Sequence, residues 1–126
     1  MPLIHIKSLP FKPQKDIANI LKDISSEFSD HMEISEKQVI VTWDTFKENH
    51  YSYQGKIAAY NEQSDHPILV DLIAPDFNSR ERIQEMMFTV SKGISKYANI
   101  PESRIFIVYR SANSGFVLDE GNVVEW

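Results

Sequence analysis

The residue types that most often perform catalysis or bind metals are sparse in this chain and are not grouped. There is no cysteine, which excludes a thiolate nucleophile, a thiolate metal site and a disulfide framework. The four histidines show no pair at ligand spacing, so the sequence predicts no metal site; they are His5, His31, His50 and His66. The Gly-x-Ser-x-Gly, P-loop and Gly-x-Gly-x-x-Gly patterns are also missing. The sequence therefore predicts no cofactor.

Two local features remain as candidate sites. The chain opens with Met1-Pro2 directly before the apolar stretch Leu3-Ile4-His5-Ile6. Taken alone, a proline in that place indicates only the start of a strand, where its missing N–H costs nothing. The stretch 44–53 is rich in aromatic residues, and it either lines a pocket or packs as a half-buried hairpin. What these features do depends on the elements that hold them.

Those elements come in two similar copies. Residues 2–60 and 68–126 align without a gap, each residue n facing residue n+66, and the polar linker 61–67 joins them. Eight of the 59 aligned positions are identical, so the evidence for duplication is the apolar pattern, which stays in phase from end to end. Gly55 also faces Gly121. The chain is therefore predicted to be one domain, residues 1–126, made of two pseudo-repeats.

Each copy is predicted to fold as a strand, a helix, a second strand and a hairpin. The helix of the first copy is predicted to start at Pro13, which suits the first helical position. In the second copy, Asn78 and Glu81 resemble a capping box. Hairpin turns are predicted near Gly55 and Gly121. From alternation and β-branched content, the main strands are predicted at 3–9, 39–43, 68–73 and 105–109.

This order predicts an α+β fold with a four-stranded sheet and both helices on one face. A strand-helix-strand unit closes as a right-handed crossover, so the two strands of each copy should be parallel. The strands 68–73 and 105–109 are apolar on both sides, and two helices can cover only one of them. Because monomers avoid a large exposed apolar patch, we expect a partner subunit on the other face. His5, Lys7 and Asp71 interrupt that face, either as paired charges or as hydrogen-bonded groups at a wet interface.

The composition is that of an ordinary globular domain. The chain has 126 residues, of which 42% are hydrophobic and 25% are charged. A net charge of −5 argues against a nucleic-acid partner, which requires a basic surface. No apolar stretch approaches the length of a membrane span, and the N-terminus does not resemble a secretory signal. A cytoplasmic protein without a membrane partner is expected.

The arrangement resembles the tautomerase superfamily, which includes 4-oxalocrotonate tautomerase and macrophage migration inhibitory factor. The residues that carry the resemblance are Met1-Pro2 before the first strand, the segment 100–107 between helix and strand, and the ending 115–121. The ending is most similar to a little-characterised branch of bacterial tautomerase-like proteins. The resemblance implies a small keto or enol acid as the substrate and a homotrimer as the assembly, which matches the uncovered sheet face.

The resemblance also implies that Pro2 is the catalytic residue, once Met1 has been removed. A free N-terminal proline is a rigid secondary amine, and an α-amine has an ordinary pKa of about 8 that burial lowers. Such an amine can move a proton between carbon and oxygen of the substrate. The second copy has Ile68 at the equivalent place, on an internal peptide bond. One site per chain is implied.

The residues that the resemblance implies for substrate binding match the family pattern less closely. They are Lys12, Arg104, Arg110, Tyr51 and Phe116. Lys12 stands where the family has a carboxylate-binding arginine, and a lysine is only a point charge. A second family arginine falls on Ile40 and Phe106, so the two arginines named above are only the nearest basic replacements. The family's aromatic pocket wall falls on Tyr51 in the first copy and on Val117, beside Phe116, in the second.

Three hypotheses follow from the sequence. The first is an enzyme of the tautomerase type that uses Pro2 as a base. The second is a protein that keeps the tautomerase fold but has lost the arginine set, and that binds or supports other molecules without catalysis. The third is an unrelated α+β interaction module whose internal repeat is accidental.

Overall fold

The computed structural model describes residues 2–126, and the elements within that range follow the predicted order. Helix α1 spans Ile17–Met32 and helix α2 spans Arg80–Ala98. The long strands are β1 Leu3–Ser8, β2 Ile40–Thr45, β5 Ile68–Pro75 and β6 Ile105–Ala112. The short hairpin strands are β3 Ser52–Tyr53, β4 Lys56–Ile57, β7 Val117–Asp119 and β8 Asn122–Val124. The predicted α+β class with repeated β-α-β-hairpin units is confirmed.

The four long strands form one sheet in the order β2-β1-β5-β6. The strands of each copy, β1 with β2 and β5 with β6, are parallel, as expected for a crossover through a helix. The two copies meet at the centre, where β1 runs antiparallel to β5 and Leu3 pairs with Ile73. The start of β1 therefore lies at the same end of the sheet as the ends of β5 and β6.

The helices begin later than the sequence predicts. Helix α1 starts at Ile17 rather than Pro13, because the Asp16 carboxylate accepts a hydrogen bond from the Asn19 N–H and caps the helix there. Helix α2 is capped by Ser79, whose hydroxyl accepts from the Arg82 N–H. The predicted cap Asn78 instead donates its side-chain amide to the Pro75 carbonyl at 2.8 Å. The N-cap is the residue whose side chain reaches the free backbone N–H groups at the start of the helix. From the sequence alone, Asn78 and Ser79 are both candidates.

The duplication is visible in the backbone as well as in the sequence. Both helices end on a residue with positive φ, Glu33 at 56° and Asn99 at 56°, and these two positions are 66 apart. The two hairpins turn through Gln54-Gly55 and Glu120-Gly121. Their φ values are 51° and 77° in the first turn, and 49° and 79° in the second. Positive φ at both central residues is the geometry that glycine permits at hairpin turns. The boundaries of the single domain and its two pseudo-repeats stay a prediction.

The hydrophobic core lies between the sheet and the two helices. Ile4 and Ile6 of β1 point to this side and are fully buried. They pack with Ile24 and Phe28 of α1 and with Val90 of α2, all of them at most 1% exposed. Neither helix, within residues 2–126, is both long and apolar enough to cross a membrane.

The opposite face of the sheet is not covered by the chain itself. Large apolar side chains on this open face are exposed: Ile40 to 50%, Phe106 to 56% and Val108 to 42%. The polar residues expected to interrupt the face, His5 and Asp71, are directly opposite each other on β1 and β5. The open face is therefore an apolar surface with a charged centre.

Candidate active site

Pro2 lies immediately before β1, at one end of the sheet. Its carbonyl accepts a hydrogen bond from the Ile40 N–H at 3.0 Å, which fixes the residue against the start of β2. On its other side, continuing the antiparallel pairing of Leu3 with Ile73 places it beside Ala74. Pro2 is less than 2% exposed. The predicted removal of Met1 concerns a residue outside the described range.

Arg110 is the basic candidate that shares this end of the sheet. It pairs in register with Ile73, two strands away from β1, and its side chain lies on the open face. Its guanidinium nitrogen Nη2 is 2.9 Å from Oδ1 of Asp71. Because the side chains are 61% and 43% exposed, respectively, an incoming anion can reach this ion pair from solvent.

Phe116 also belongs to the Pro2 end, on the hairpin that follows β6. The hairpin is closed by a hydrogen bond from the Gly115 N–H to the Val124 carbonyl at 3.0 Å, and the Phe116 N–H donates to the Asn113 carbonyl. The Phe116 ring is 84% exposed. It is an exposed aromatic surface at the same end of the sheet as Pro2.

Arg104 and Tyr51 lie at the other end of the sheet, where β5 and β6 begin. The Arg104 Nη2 donates to the Asn61 side-chain oxygen at 2.9 Å and to the His66 carbonyl at 3.0 Å. The Tyr51 hydroxyl donates to the Pro67 carbonyl at 2.8 Å, and its ring stacks edge-on against His66 with centroids 4.7 Å apart. Asn61 and His66 of the predicted polar linker are buried, at 4% and 3% exposure. The linker is thus held in the fold by these contacts.

Lys12 is also remote from Pro2, because it follows the far end of β1. Its backbone N–H donates to Glu62 Oε1 at 2.8 Å, and its ammonium lies 5.0 Å from the centre of the Tyr60 ring. The six residues of β1 span about 20 Å at the usual rise per residue, so Lys12 and Pro2 of one chain do not meet. Of the predicted substrate-binding residues, only Arg110 and Phe116 share the Pro2 end.

The loop after β5 is the part of the Pro2 end that the sequence prediction missed. Because the two copies pair antiparallel, residues 76–78 lie beside the start of β1, whereas the equivalent residues 10–12 lie at the far end. Asp76 accepts a hydrogen bond from the Trp126 indole at 2.8 Å, and Phe77 stacks edge-on against the same ring. The 66-residue repeat makes position 78 the equivalent of Lys12, but only the antiparallel pairing seen in the structure places position 78 at the Pro2 end.

Tyr109 supports this end from within the sheet. Its hydroxyl donates to the carbonyls of Ala74 and Pro75 at 3.3 and 3.2 Å. Burial raises the pKa of the Tyr109 phenol above its ordinary value. The phenol is therefore neutral at physiological pH and serves as a hydrogen-bond donor that fixes the end of β5.

Five clefts on the surface of residues 2–126 are lined by residues other than Pro2. No group of three or more His, Asp or Glu side chains in that part of the chain is arranged to hold a metal ion. In the single chain Pro2 is buried and does not line any of these five clefts.

Comparison with solved structures identifies the fold. The protein Pt0534 inactivated by 2-oxo-3-pentynoate superposes with a TM-score of 0.79 at 13% identity, covering 97% of this chain and 94% of that chain. Native fused 4-OT gives a TM-score of 0.79 at 12% identity, covering 96% and 94%. A macrophage migration inhibitory factor homologue from Prochlorococcus marinus gives 0.74 at 20% identity, covering 97% and 98%. No family model matches the chain, and no curated protein matches its sequence.

These likenesses show that the chain has the fold of the tautomerase superfamily. The resemblance carried by Met1-Pro2 and the repeated units is confirmed at the level of the fold. The third hypothesis is excluded at the level of the fold: the fold is not an unrelated α+β arrangement, because the similarity extends over both copies. At these identities the fold alone does not assign a reaction.

Proposed function

We propose that this protein catalyses enol-keto tautomerisation of a small keto or enol acid, with the amine of Pro2 as the general base. The observation that carries the proposal is the place of Pro2: it is buried at the start of a central strand in a tautomerase fold. One neighbour of that fold is inactivated by a 2-oxo acid, which supports a substrate of the same chemical class.

The setting of Pro2 suits a base. An α-amine has an ordinary pKa of about 8, and an apolar surrounding disfavours the ammonium form. The unprotonated amine then accepts the proton from the enol oxygen or from the carbon next to the carbonyl, and it returns the proton to the other atom. Because the ring fixes the nitrogen, no rotation is needed between these two steps.

Arg110 is the proposed anchor for the substrate carboxylate. It is at the Pro2 end, it is exposed, and its fork of N–H donors matches a carboxylate. The substrate must displace the Asp71 carboxylate, which occupies the guanidinium in the free protein. Phe116 is the proposed aromatic wall. Lys12, Arg104 and Tyr51 reach a Pro2 site only if a neighbouring copy contributes them.

The proposed assembly is a homotrimer. Fused 4-OT structures similar to this chain are trimers, and the open face of the sheet exposes apolar side chains that a second copy would cover. A neighbouring copy at this face would also exclude water from the Pro2 end.

The experiment has two stages. Mass spectrometry of the protein isolated from its natural source first establishes whether Met1 is retained, because an acylated proline nitrogen has no basic lone pair. Enol-keto exchange of phenylpyruvate is then compared between the wild type, Pro2→Ala and the matched control Pro101→Ala. Pro2→Ala replaces the rigid secondary amine with a freely rotating primary amine, which should lower kcat/KM on the order of a hundredfold, whereas Pro101→Ala should leave it unchanged. Equal rates in all three proteins would end the proposal.

The second candidate is a protein with this fold that binds without catalysis. The specific observation in its favour is that the Arg110 guanidinium is already paired with the Asp71 carboxylate at 2.9 Å. Saturable phenylpyruvate binding together with an exchange rate equal to that of buffer would favour this candidate.

A further inference from the structure

The outer surface of α2 carries an exposed aromatic residue between charged residues of opposite sign. These residues line a groove of about 640 Å³ that α2 shares with α1. We call five of them the α2 stripe: Glu81, Glu85, Phe88, Lys92 and Lys96. All five are exposed, and Phe88 is exposed to 65%. Neither the chemistry proposed at Pro2 nor the open face of the sheet uses any of them.

The α2 stripe lies on one face of the helix. Its residues are spaced by four, three, four and four positions, which keeps them within about 80° of one another around the helix axis. The stripe is about 22 Å long at the usual rise per residue. Its two acids lie in the N-terminal half of the helix and its two lysines in the C-terminal half, with the aromatic ring between them.

The repeated fold does not require this stripe, because the first copy lacks it. Lys22 of α1 stands at the position equivalent to Phe88, and Asn19 stands at the position equivalent to Glu85. The helix dipole favours acids at the start of α2 and lysines at its end, but it gives no reason for an aromatic ring in solvent. An aromatic centre with a polar rim is the usual anatomy of a protein interface.

Two of the four charged residues of the stripe already have partners within the chain. Lys96 Nζ is 3.0 Å from Glu27 Oε1, and Glu85 Oε1 is 3.4 Å from His31 Nε2. Both contacts are at the surface, where an ion pair contributes little stability. The remaining acid and lysine of the stripe form no ion pair within residues 2–126. The two halves of the stripe therefore keep opposite charges to offer to a partner.

The α2 stripe is complementary to itself. When two copies of the helix are placed antiparallel with Phe88 at the centre, Glu85 of one copy lies opposite Lys92 of the other. Glu81 of one copy then lies opposite Lys96 of the other. Both kinds of pair are centred on the same point of the helix, beside Phe88, so one two-fold axis brings all four ion pairs into register. A parallel arrangement would place equal charges opposite each other.

We propose that the α2 stripe is a contact surface for the α2 stripe of a second copy, docked antiparallel about a two-fold axis. The two Phe88 rings pack against each other at the centre, and the ion pairs lie at the rim. One stripe is narrow compared with the roughly 800 Å² per partner of a stable interface, so the contact is weak and forms at high protein concentration. The helices and the open face are on opposite sides of the sheet, so this contact joins assemblies that the open face has formed. It does not rest on the reaction at Pro2.

Exchanging charges tests the docking. Sedimentation equilibrium of the full chain between about 10 μM and about 1 mM covers the range of weak association. The average mass of the wild type should rise with concentration across this range. Glu85→Lys alone and Lys92→Glu alone each place like charges opposite each other, which should raise the dissociation constant on the order of tenfold. Glu85→Lys/Lys92→Glu restores opposite charges and should associate as the wild type does.

Two further variants and added salt separate the stripe from a general effect of charge. Lys22→Glu is the matched control, because it changes the net charge as Lys92→Glu does but lies on α1, outside the groove, and it should leave association unchanged. Phe88→Ala should weaken association on the order of tenfold through loss of the central contact. Added salt should weaken association of the wild type and strengthen that of either single charge variant, because it screens both attraction and repulsion.

Three results would overturn the proposal. The first is a wild type whose average mass does not change with concentration, which would leave the stripe available to a different protein. The second is a double variant that associates no better than the single charge variants. The third is an equal loss of association in Lys22→Glu and Lys92→Glu. Should a charge variant not fold, the salt response of the wild type and the effect of Phe88→Ala decide: association that neither of them weakens would also overturn the proposal.

Discussion

His5 and Asp71 lie directly opposite each other on the two central strands, yet they do not pair with each other. Each pairs instead with a side chain on the outer strand of its own copy. His5 Nε2 is 3.7 Å from the Asp44 carboxylate on β2, and Asp71 Oδ1 is 2.9 Å from the Arg110 guanidinium on β6. Positions 5 and 44 are equivalent to positions 71 and 110 in the repeat. The two copies therefore hold an equivalent pair with the acidic and basic side chains exchanged, so that the basic member of the second copy, Arg110, lies at the Pro2 end.

Freeing Arg110 should strengthen substrate binding if Arg110 anchors the carboxylate. We predict that Asp71→Asn lowers KM for phenylpyruvate a few-fold with little change in kcat, because the substrate no longer competes with an internal carboxylate. Asp44→Asn removes the equivalent acid of the first copy and should leave KM unchanged. Steady-state kinetics on both variants is the measurement. A higher KM in Asp71→Asn would show that Asp71 positions Arg110 for binding instead of competing for it.

Charging the open face should dissociate the assembly. In light scattering we expect the wild type at three times the chain mass of 14.6 kDa and Phe106→Glu at the mass of one chain. The reason is that a carboxylate buried against a second copy is strongly disfavoured. Phe88→Glu is the matched control, since Phe88 is exposed to 65% on the outer surface of α2 and should leave the trimer intact. A wild type that is a stable single chain would contradict this prediction.

The hydrogen bond between Ser8 and Trp43 should behave as a coupled pair. Ser8 is fully buried, and its hydroxyl accepts from the Trp43 indole while donating to the Leu9 carbonyl at 2.9 Å. Ser8→Ala leaves the indole N–H without a partner and should reduce the free energy of unfolding by about 1–3 kcal/mol. In Ser8→Ala/Trp43→Phe the loss should be smaller than the sum of the single losses. Additive losses in urea unfolding would show that the bond contributes nothing to stability.

Stability at high pH should depend on Tyr109. Burial raises the pKa of its phenol above the ordinary 10.0. The group therefore stabilises the fold fully below the unfolded pKa, and this contribution is lost as the pH rises through the folded value. Tyr109→Phe should be less stable by about 1 kcal/mol near neutrality, because two carbonyls lose a donor. It should also lose less stability than the wild type between pH of about 9 and about 11. Urea unfolding at each pH is the measurement. If the free energy of unfolding falls equally with rising pH in both proteins, Tyr109 does not have this role.

Much of the fold could be predicted because the apolar pattern is local and repeated. The two-residue spacing of Ile4 and Ile6 identifies the buried face of a strand, and the four-residue spacing of Ile24 and Phe28 identifies the buried face of a helix. Both spacings can be read without knowing which elements pack against them. Gly55 and Gly121 mark both hairpin turns, because glycine adopts the positive φ that these turns require. This requirement is also local. The helix starts were less predictable, because Asn78 and Ser79 both have capping side chains and only the folded backbone selects one.

The composition of the site could not be predicted in the same way. Lys12 and Arg110 were both candidates for substrate binding, and sequence order says nothing about which end of the sheet each occupies. The antiparallel pairing of β1 with β5 decides this, and that pairing is a contact between residues more than 60 positions apart. The exchange of acidic and basic side chains between the two copies likewise could not be predicted, because only the structure shows that His5 pairs with Asp44 and Asp71 with Arg110.

The central claim concerns the nitrogen of Pro2, and nitrogen-15 NMR of proline-labelled protein measures it directly. The chain has six prolines, and five of them are tertiary amides that do not titrate. The account predicts that one proline nitrogen titrates, with a midpoint below the ordinary α-amine value of about 8. A spectrum in which no proline nitrogen responds to pH, or in which the midpoint lies at or above that value, would contradict it.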